Sequence, residues 1–233
     1  MKTEYSLASI PQQTTLNLCK RNAYHQAGRA SAIHFGNRQK NLPAVYFQIV
    51  IKPLTLGVKQ NLRLTGISQK YRATFEGGRL IAELPHSYQG ATRLLTPMEQ
   101  QHCRLAFEAD VINLLAGSLA EAKYVALRDG EVFNANLIYL GALKFYGGSV
   151  ELMTVEDYMH CLYPDKKAER DKKLTELFLS AYSFINDAQN WRTITTLAEG
   201  LSRCRQTCFS CEELIAVLDQ AHAGVFFQSG FPG

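Results

Sequence analysis

The chain has 233 residues, 46% of them hydrophobic and 20% charged, with a formal net charge of +4. That length and mix describe a globular protein with core enough for one large domain or two small ones, and exclude a wholly disordered chain. The mild charge, with no dense Lys/Arg block, argues against nucleic acid as a partner.

The longest apolar stretch, Ala44 to Ile51, is interrupted by Gln48 and falls well short of the roughly 20 residues a membrane span needs. The polar start Met-Lys-Thr-Glu-Tyr-Ser has no signal-peptide pattern, and six cysteines in such a chain read as reduced thiols. A cytoplasmic protein is the expectation.

In chain order, Leu16, Ala23, Ala27, Ala30 and Ile33 keep helical spacing, which predicts a helix over 14–36 that stops at Gly36-Asn37. Ala44 to Ile51 is rich in β-branched and aromatic residues and reads as a strand ended by Pro53. Tyr71, Ala73 and Phe75 alternate with polar neighbours, as do Leu80, Ala82 and Leu84, and Gly77-Gly78 between them reads as a hairpin turn. A small sheet over 42–85 follows.

From Thr96 the pattern is helical to 222. Thr96-Pro-Met-Glu99 is a capping box opening a helix towards Tyr124. A second helix is expected over Asn134–Tyr146, stopped by Gly147-Gly148, and Thr154-Val-Glu-Asp157 reads as the cap of a short one. Further helices are expected over Asp165–Asn186 and Ala188–Arg205, and Ser210-Cys-Glu-Glu213 caps a last one to His222. The expected architecture is α+β: one domain over 1–223 and a Phe-rich tail over 224–233, with strands clustered early rather than alternating with helices.

Asn22-Ala-Tyr-His-Gln-Ala-Gly-Arg-Ala30 resembles the Ala-Tyr-His-Glu-Ala-Gly-His-Ala segment of the FtsH-type zinc metallopeptidases, an H-E-x-x-H motif. Leu114-Leu-Ala-Gly-Ser-Leu-Ala-Glu-Ala122 is similar to that family's Leu-x-Gly-x-x-Ala-Glu helix. In the family an aspartate followed by Leu opens the next helix and completes the zinc site; Asn136-Leu137 is the best match here, with Asn134 as the alternative. Trp191 to Leu218 resembles the closing helix pair. The resemblance implies an FtsH-type peptidase-like fold, as a stand-alone unit: no G-x-x-x-x-G-K-[ST] phosphate loop marks an ATPase module.

By that resemblance His25 stands at the first zinc ligand, Gln26 at the catalytic glutamate, Arg29 at the second histidine and Asn136 at the third ligand. Positions i and i+4 share a helix face, so two imidazoles there could grip one metal ion while the glutamate activates its water. Arg29 defeats this, because a guanidinium stays protonated and has no lone pair to give. At about 4 Å and an effective dielectric near 20, its repulsion of a divalent ion is about 8 kcal/mol. That offsets much of the roughly 10–16 kcal/mol of a good structural zinc site. Gln26 accepts no proton at neutral pH, and Asn136 offers only a neutral carbonyl oxygen.

The expected function is therefore that of a catalytically inactive peptidase-like protein, a peptide-binding or scaffold module. The edge strand Ala44–Ile51 would line its cleft, and Arg29 would favour carboxylates or other anions. No cofactor is expected, and no metal; a peptide or protein partner and a small homo-oligomer are. Two alternatives stand beside it. One is an active zinc metallopeptidase with replacement ligands, for which Asp129 and Glu131 are the nearby carboxylates. The other is a metal- or redox-responsive protein using Cys204, Cys208 and Cys211.

Overall fold

The computed structural model describes residues 18–54 and 71–224. Helix α1 (Lys20–Ser31) continues through a π-helical turn (Ala32–Gly36) into the short α2 (Asn37–Gln39). The expected stop at Gly36-Asn37 fails, because Gly36 and Asn37 keep helical backbone angles. The chain turns only at Asn41, which adopts φ 53°. Of the expected N-terminal start, 14–17 lies outside the described residues, and the helix begins at Lys20.

Strands β1 (Phe47–Pro53) and β2 (Tyr71–Gly77) pair antiparallel in the register Phe47↔Gly77 to Pro53↔Tyr71. A two-residue strand β3 (Cys208–Phe209) pairs with β1 on its other side, giving the order β2-β1-β3. The strand expected over Ala44–Ile51 thus starts three residues later and is central, not an edge. β2 is the edge.

Gly77 and Gly78 do adopt positive φ (76° and 78°), the conformation glycine tolerates. They make no hairpin, and Leu80 to Leu84 form no strand. Both Asp110 carboxylate oxygens accept backbone N–H groups here, from Leu80 and Ile81, each at 2.9 Å. Tyr158 donates its hydroxyl to the same carboxylate. A buried side chain on a distant helix has taken the hydrogen bonds a strand partner would have used.

After the short α3 (Tyr88–Thr92), α4 (Pro97–Arg128) runs 32 residues, about 48 Å at 1.5 Å per residue. The Thr96–Glu99 capping box forms as expected. From Ala109 to Lys123 every residue of α4 is buried, so this is a central helix wrapped on all sides rather than an amphipathic one. Helices α1, α5 (Ser149–Leu162) and α6 (Lys167–Asn186) pack around it.

The helix expected over Asn134–Tyr146 is instead a turn followed by a 3-10 segment (Leu140–Phe145). The Asn134 side chain accepts the Asn136 N–H, a local bond that competes with helix formation. Thr154 to Asp157 caps nothing: it lies inside α5, which starts at Ser149. Helices α7 (Ala188–Ser202) and α8 (Cys211–His222) follow, the second on its Ser210 capping box. α7 packs on α1 and α8.

The architecture is α+β, mostly helical with a small antiparallel sheet. One hydrophobic core runs through all of it, from Leu18 to Leu218. No helix among the described residues is long and apolar enough to cross a membrane. The Phe-rich tail from 225 lies outside the described residues.

Candidate functional site

Three small residues on α1, Ala23, Ala27 and Ala30, are completely buried, and Gly28 faces α4. A Cβ at Gly28 would collide with Ala120 and lie 2.9 Å from the Ala116 carbonyl oxygen. The two helices therefore cross with backbones nearly touching. That closeness delivers His25, Gln26 and Arg29 into the interior, where each is more than nine-tenths buried.

The imidazole of His25 sits in a socket cut by glycines. A Cβ at Gly117 would lie 2.8 Å from its Nε2, and one at Gly147 3.0 Å from its Nδ1. Its Nδ1 donates to the Tyr146 carbonyl oxygen at 3.2 Å and lies 3.3 Å from Glu121 Oε2. Its Nε2 lies 3.5 Å from Glu151 Oε1. Burial works against charging the ring, but the two carboxylates outweigh it and raise its pKa to about 9. The two carboxylates thus favour the protonated ring. Burial likewise opposes the charge on Glu151, yet His25 and then Arg29 hold that carboxyl below its ordinary value. Arg21 donates to the other oxygen of Glu121 at 2.8 Å and to the Phe145 carbonyl oxygen at 2.8 Å.

Arg29, one turn on from His25, places Nη1 4.0 Å from Glu151 Oε1 and its guanidinium 4.5 Å from the centre of the Phe75 ring. The two α1 positions do share a face and one carboxylate, as their spacing implied. Gln26 points to the sheet instead: its Nε2 donates to the Ala73 carbonyl oxygen at 3.2 Å. Asn22 accepts the Ala73 N–H at 2.7 Å, so two α1 side chains occupy both polar groups of Ala73 on the outer edge of β2. By the two-residue alternation of an antiparallel ladder, Phe75 directs its N–H and C=O to the same side.

Asn136 does not join this group. It is exposed and held in its own turn, and Asp129 is paired with Arg128 on the surface. The residue that completes the corner is Glu151, in the first turn of α5. Sequence reasoning missed it: the only local signal is an acidic residue before Leu152 near the start of a helix, and nothing local ranks that pair above Asn136-Leu137. Glu121 closes the Leu114–Ala122 stretch quoted above, but its role emerges only from the crossing of α1 and α4.

Zinc does not fit this set. Both ring nitrogens of His25 already face carboxylates, and the i+4 position carries a guanidinium, which stays protonated and has no lone pair to give. The cysteines do not converge either. Cys204 is buried, its Sγ donating to the Gln206 carbonyl oxygen, and burial raises its thiol pKa to about 11. Cys208 is exposed on β3, its Sγ directed at Gln48, and Cys211 is buried with its Sγ directed at the Val45 carbonyl oxygen. Among the described residues no group of three or more His, Cys, Asp or Glu side chains is placed to hold a metal ion.

A cleft of about 690 Å³ opens beside the ion cluster. Gln26, Arg29 and Glu151 form its floor, β2 from Arg72 to Gly77 forms one wall, and Arg79 and Val150 lie on its rim. Arg72 and Arg79 were not singled out by sequence, since an arginine on a strand end carries no pattern of its own.

Comparison with protein-family models, with curated proteins and with solved structures gave no match. The reading of this site rests on its own chemistry.

Proposed function

We propose that this chain is a catalytically inactive relative of the FtsH-type metallopeptidase domain, a pseudo-peptidase that binds an extended peptide segment in the cleft beside β2 without cutting it. The observation that carries this reading is the placement of His25, its Nδ1 3.3 Å from Glu121 and its Nε2 3.5 Å from Glu151, with the Arg29 guanidinium one turn away. A charge-paired cluster of this chain's own side chains occupies the face of α1 where the resemblance puts that family's metal ion. Gln26 adds to it: its amide bonds β2 and supplies no general base.

The order of the segments supports the kinship. The His-bearing helix, the Leu114–Ala122 helix and an acid–Leu pair opening the next helix follow one another, with Glu151-Leu152 taking the place first given to Asn136-Leu137. The outward N–H and C=O of Phe75 give an extended segment a place to add to the sheet.

The test uses the full chain and a permanently unfolded probe, reduced and carboxymethylated lactalbumin carrying fluorescein. With zinc added, the expected result is saturable binding by anisotropy and no cleavage by gel. Cleavage that disappears in His25→Ala would overturn the reading, and so would the absence of any binding.

A further inference from the structure

Resting on the peptide-binding reading, we propose that the cleft selects peptides that bear a carboxylate, gripped by Arg29 and Arg79 while Gln26 Oε1 and Glu151 Oε2 accept N–H groups of the same segment. Three of the residues that line the cleft each carry a buried polar atom without a hydrogen-bond partner: Gln26 Oε1, Arg29 Nε and Glu151 Oε2. Native interiors leave few such atoms unmatched, and three in one cleft wall describe a ligand by its complement. Arg29 Nε asks for an acceptor; the other two ask for donors.

Charge narrows the class. Three guanidiniums, Arg29, Arg72 and Arg79, line the cleft, and Glu151 is the one carboxylate among the lining residues. Arg29 and Arg79 both line the cleft; burial lowers the pKa of Arg29, Glu151 opposes that, and the charge of Arg79 adds to it. The nearby Asp110 carboxylate is already committed to Leu80, Ile81 and Tyr158. Glu151 Oε1 is committed to His25 and Arg29. An incoming anion is therefore favoured at the guanidiniums. Glu151 itself argues against a dianionic phosphate, whose second charge would face it and whose oxygens bring no donors. A singly charged carboxylate on a chain of amide N–H groups matches this mix of one donor and two acceptors. It can come from an Asp or Glu side chain or from a peptide C-terminus, and in both cases the carboxylate is what Arg29 and Arg79 read.

Fluorescein-labelled hexapeptides with both ends capped, in Glu/Gln and Asp/Asn matched pairs, test this by anisotropy against the full chain. A third set lacks acidic side chains but has a free C-terminus. The expected result is binding about tenfold or more tighter for a carboxylate-bearing peptide than for its amide match, the working range of a charge-assisted contact. Arg79→Ala, at an exposed position, and Arg29→Gln each erase that preference. Tight binding of the third set alone assigns the carboxylate to the chain terminus and upholds the proposal. Equal binding of acids and amides, or a preference untouched by either variant, overturns it. If hexapeptides of every set bind equally, or none binds while unfolded lactalbumin still does, the acid selectivity falls and peptide binding stands; if lactalbumin fails too, both fall.

Discussion

Raising the pH through the range 5.5 to 8 should destabilise this fold, and His25 sets the size of the effect. Its pKa is raised to about 9 in the folded state, against 6.5 for an ordinary histidine. A group whose folded pKa is raised adds stability that is complete below the unfolded value and is lost as pH rises through the folded one. The full difference of about 2.5 units corresponds to about 3 kcal/mol, of which about 2 kcal/mol is lost between about pH 5.5 and 8. Buried thiols enter the balance only above that window, since burial raises Cys103, Cys161 and Cys204 from their ordinary values. Urea unfolding at a series of pH values measures the slope, and carbon-detected titration of the imidazole measures its cause. Removing one of the two carboxylates, in Glu151→Gln, lowers the His25 pKa and shrinks the loss. A flat stability profile between pH 5.5 and 8, or a His25 ring that titrates at or below 6.5, would refute the charged-cluster account.

On the acid side the sign reverses. Glu151 is held below its ordinary value, so its contribution is present above about pH 4.5 and is lost as pH falls further, and urea midpoints should drop there less steeply in Glu151→Gln than in the wild type. Gly117→Ala puts a methyl group 2.8 Å from His25 Nε2, and overpacking of this kind should cost about 1–3 kcal/mol and broaden the His25 resonance. Asp110→Ala strands the N–H groups of Leu80 and Ile81 and leaves the Tyr158 hydroxyl only the Ile81 carbonyl oxygen; a loss of roughly 2 kcal/mol or more in urea, with faster amide exchange at Leu80 and Ile81, is the expected result. Thr96→Ala removes half of a capping box and should cost only about 1 kcal/mol, read as a small shift in thermal midpoint.

What was legible in the sequence was what neighbouring residues settle among themselves. The Thr96–Glu99 and Ser210–Glu213 caps need only a four-residue window, and both form. The i, i+4 relation of His25 and Arg29 holds because a helix guarantees it. The failures share a different cause. Leu80 to Leu84 alternate like a strand, but Asp110, a helix away in sequence, takes their N–H groups before any strand can. Asn134 to Tyr146 has helical spacing, yet Asn134 bonds its own turn. Ala44 to Ile51 reads as an edge strand because its second neighbour, Cys208–Phe209, lies more than 150 residues downstream. Glu151 was passed over for the same reason: its meeting with His25 depends on where α5 docks. The local pattern of an acid before Leu152 was present, but nothing local ranked it above Asn136-Leu137.

One small arrangement has consequences for how this protein behaves at high concentration. An unpaired strand edge is an invitation for two copies to zip together, sheet to sheet, and so to aggregate. Along β2 that invitation is withdrawn at Ala73, where Asn22 and Gln26 occupy both backbone groups from the side of α1. Only the short stretch from Phe75 to Gly77 is left for an incoming strand, and the guanidiniums of Arg72 and Arg79 flank it. A second copy of this chain would bring the same cations to the same place and be pushed away. A short segment of opposite charge would not, and with so few rungs to hold it, it would come and go quickly.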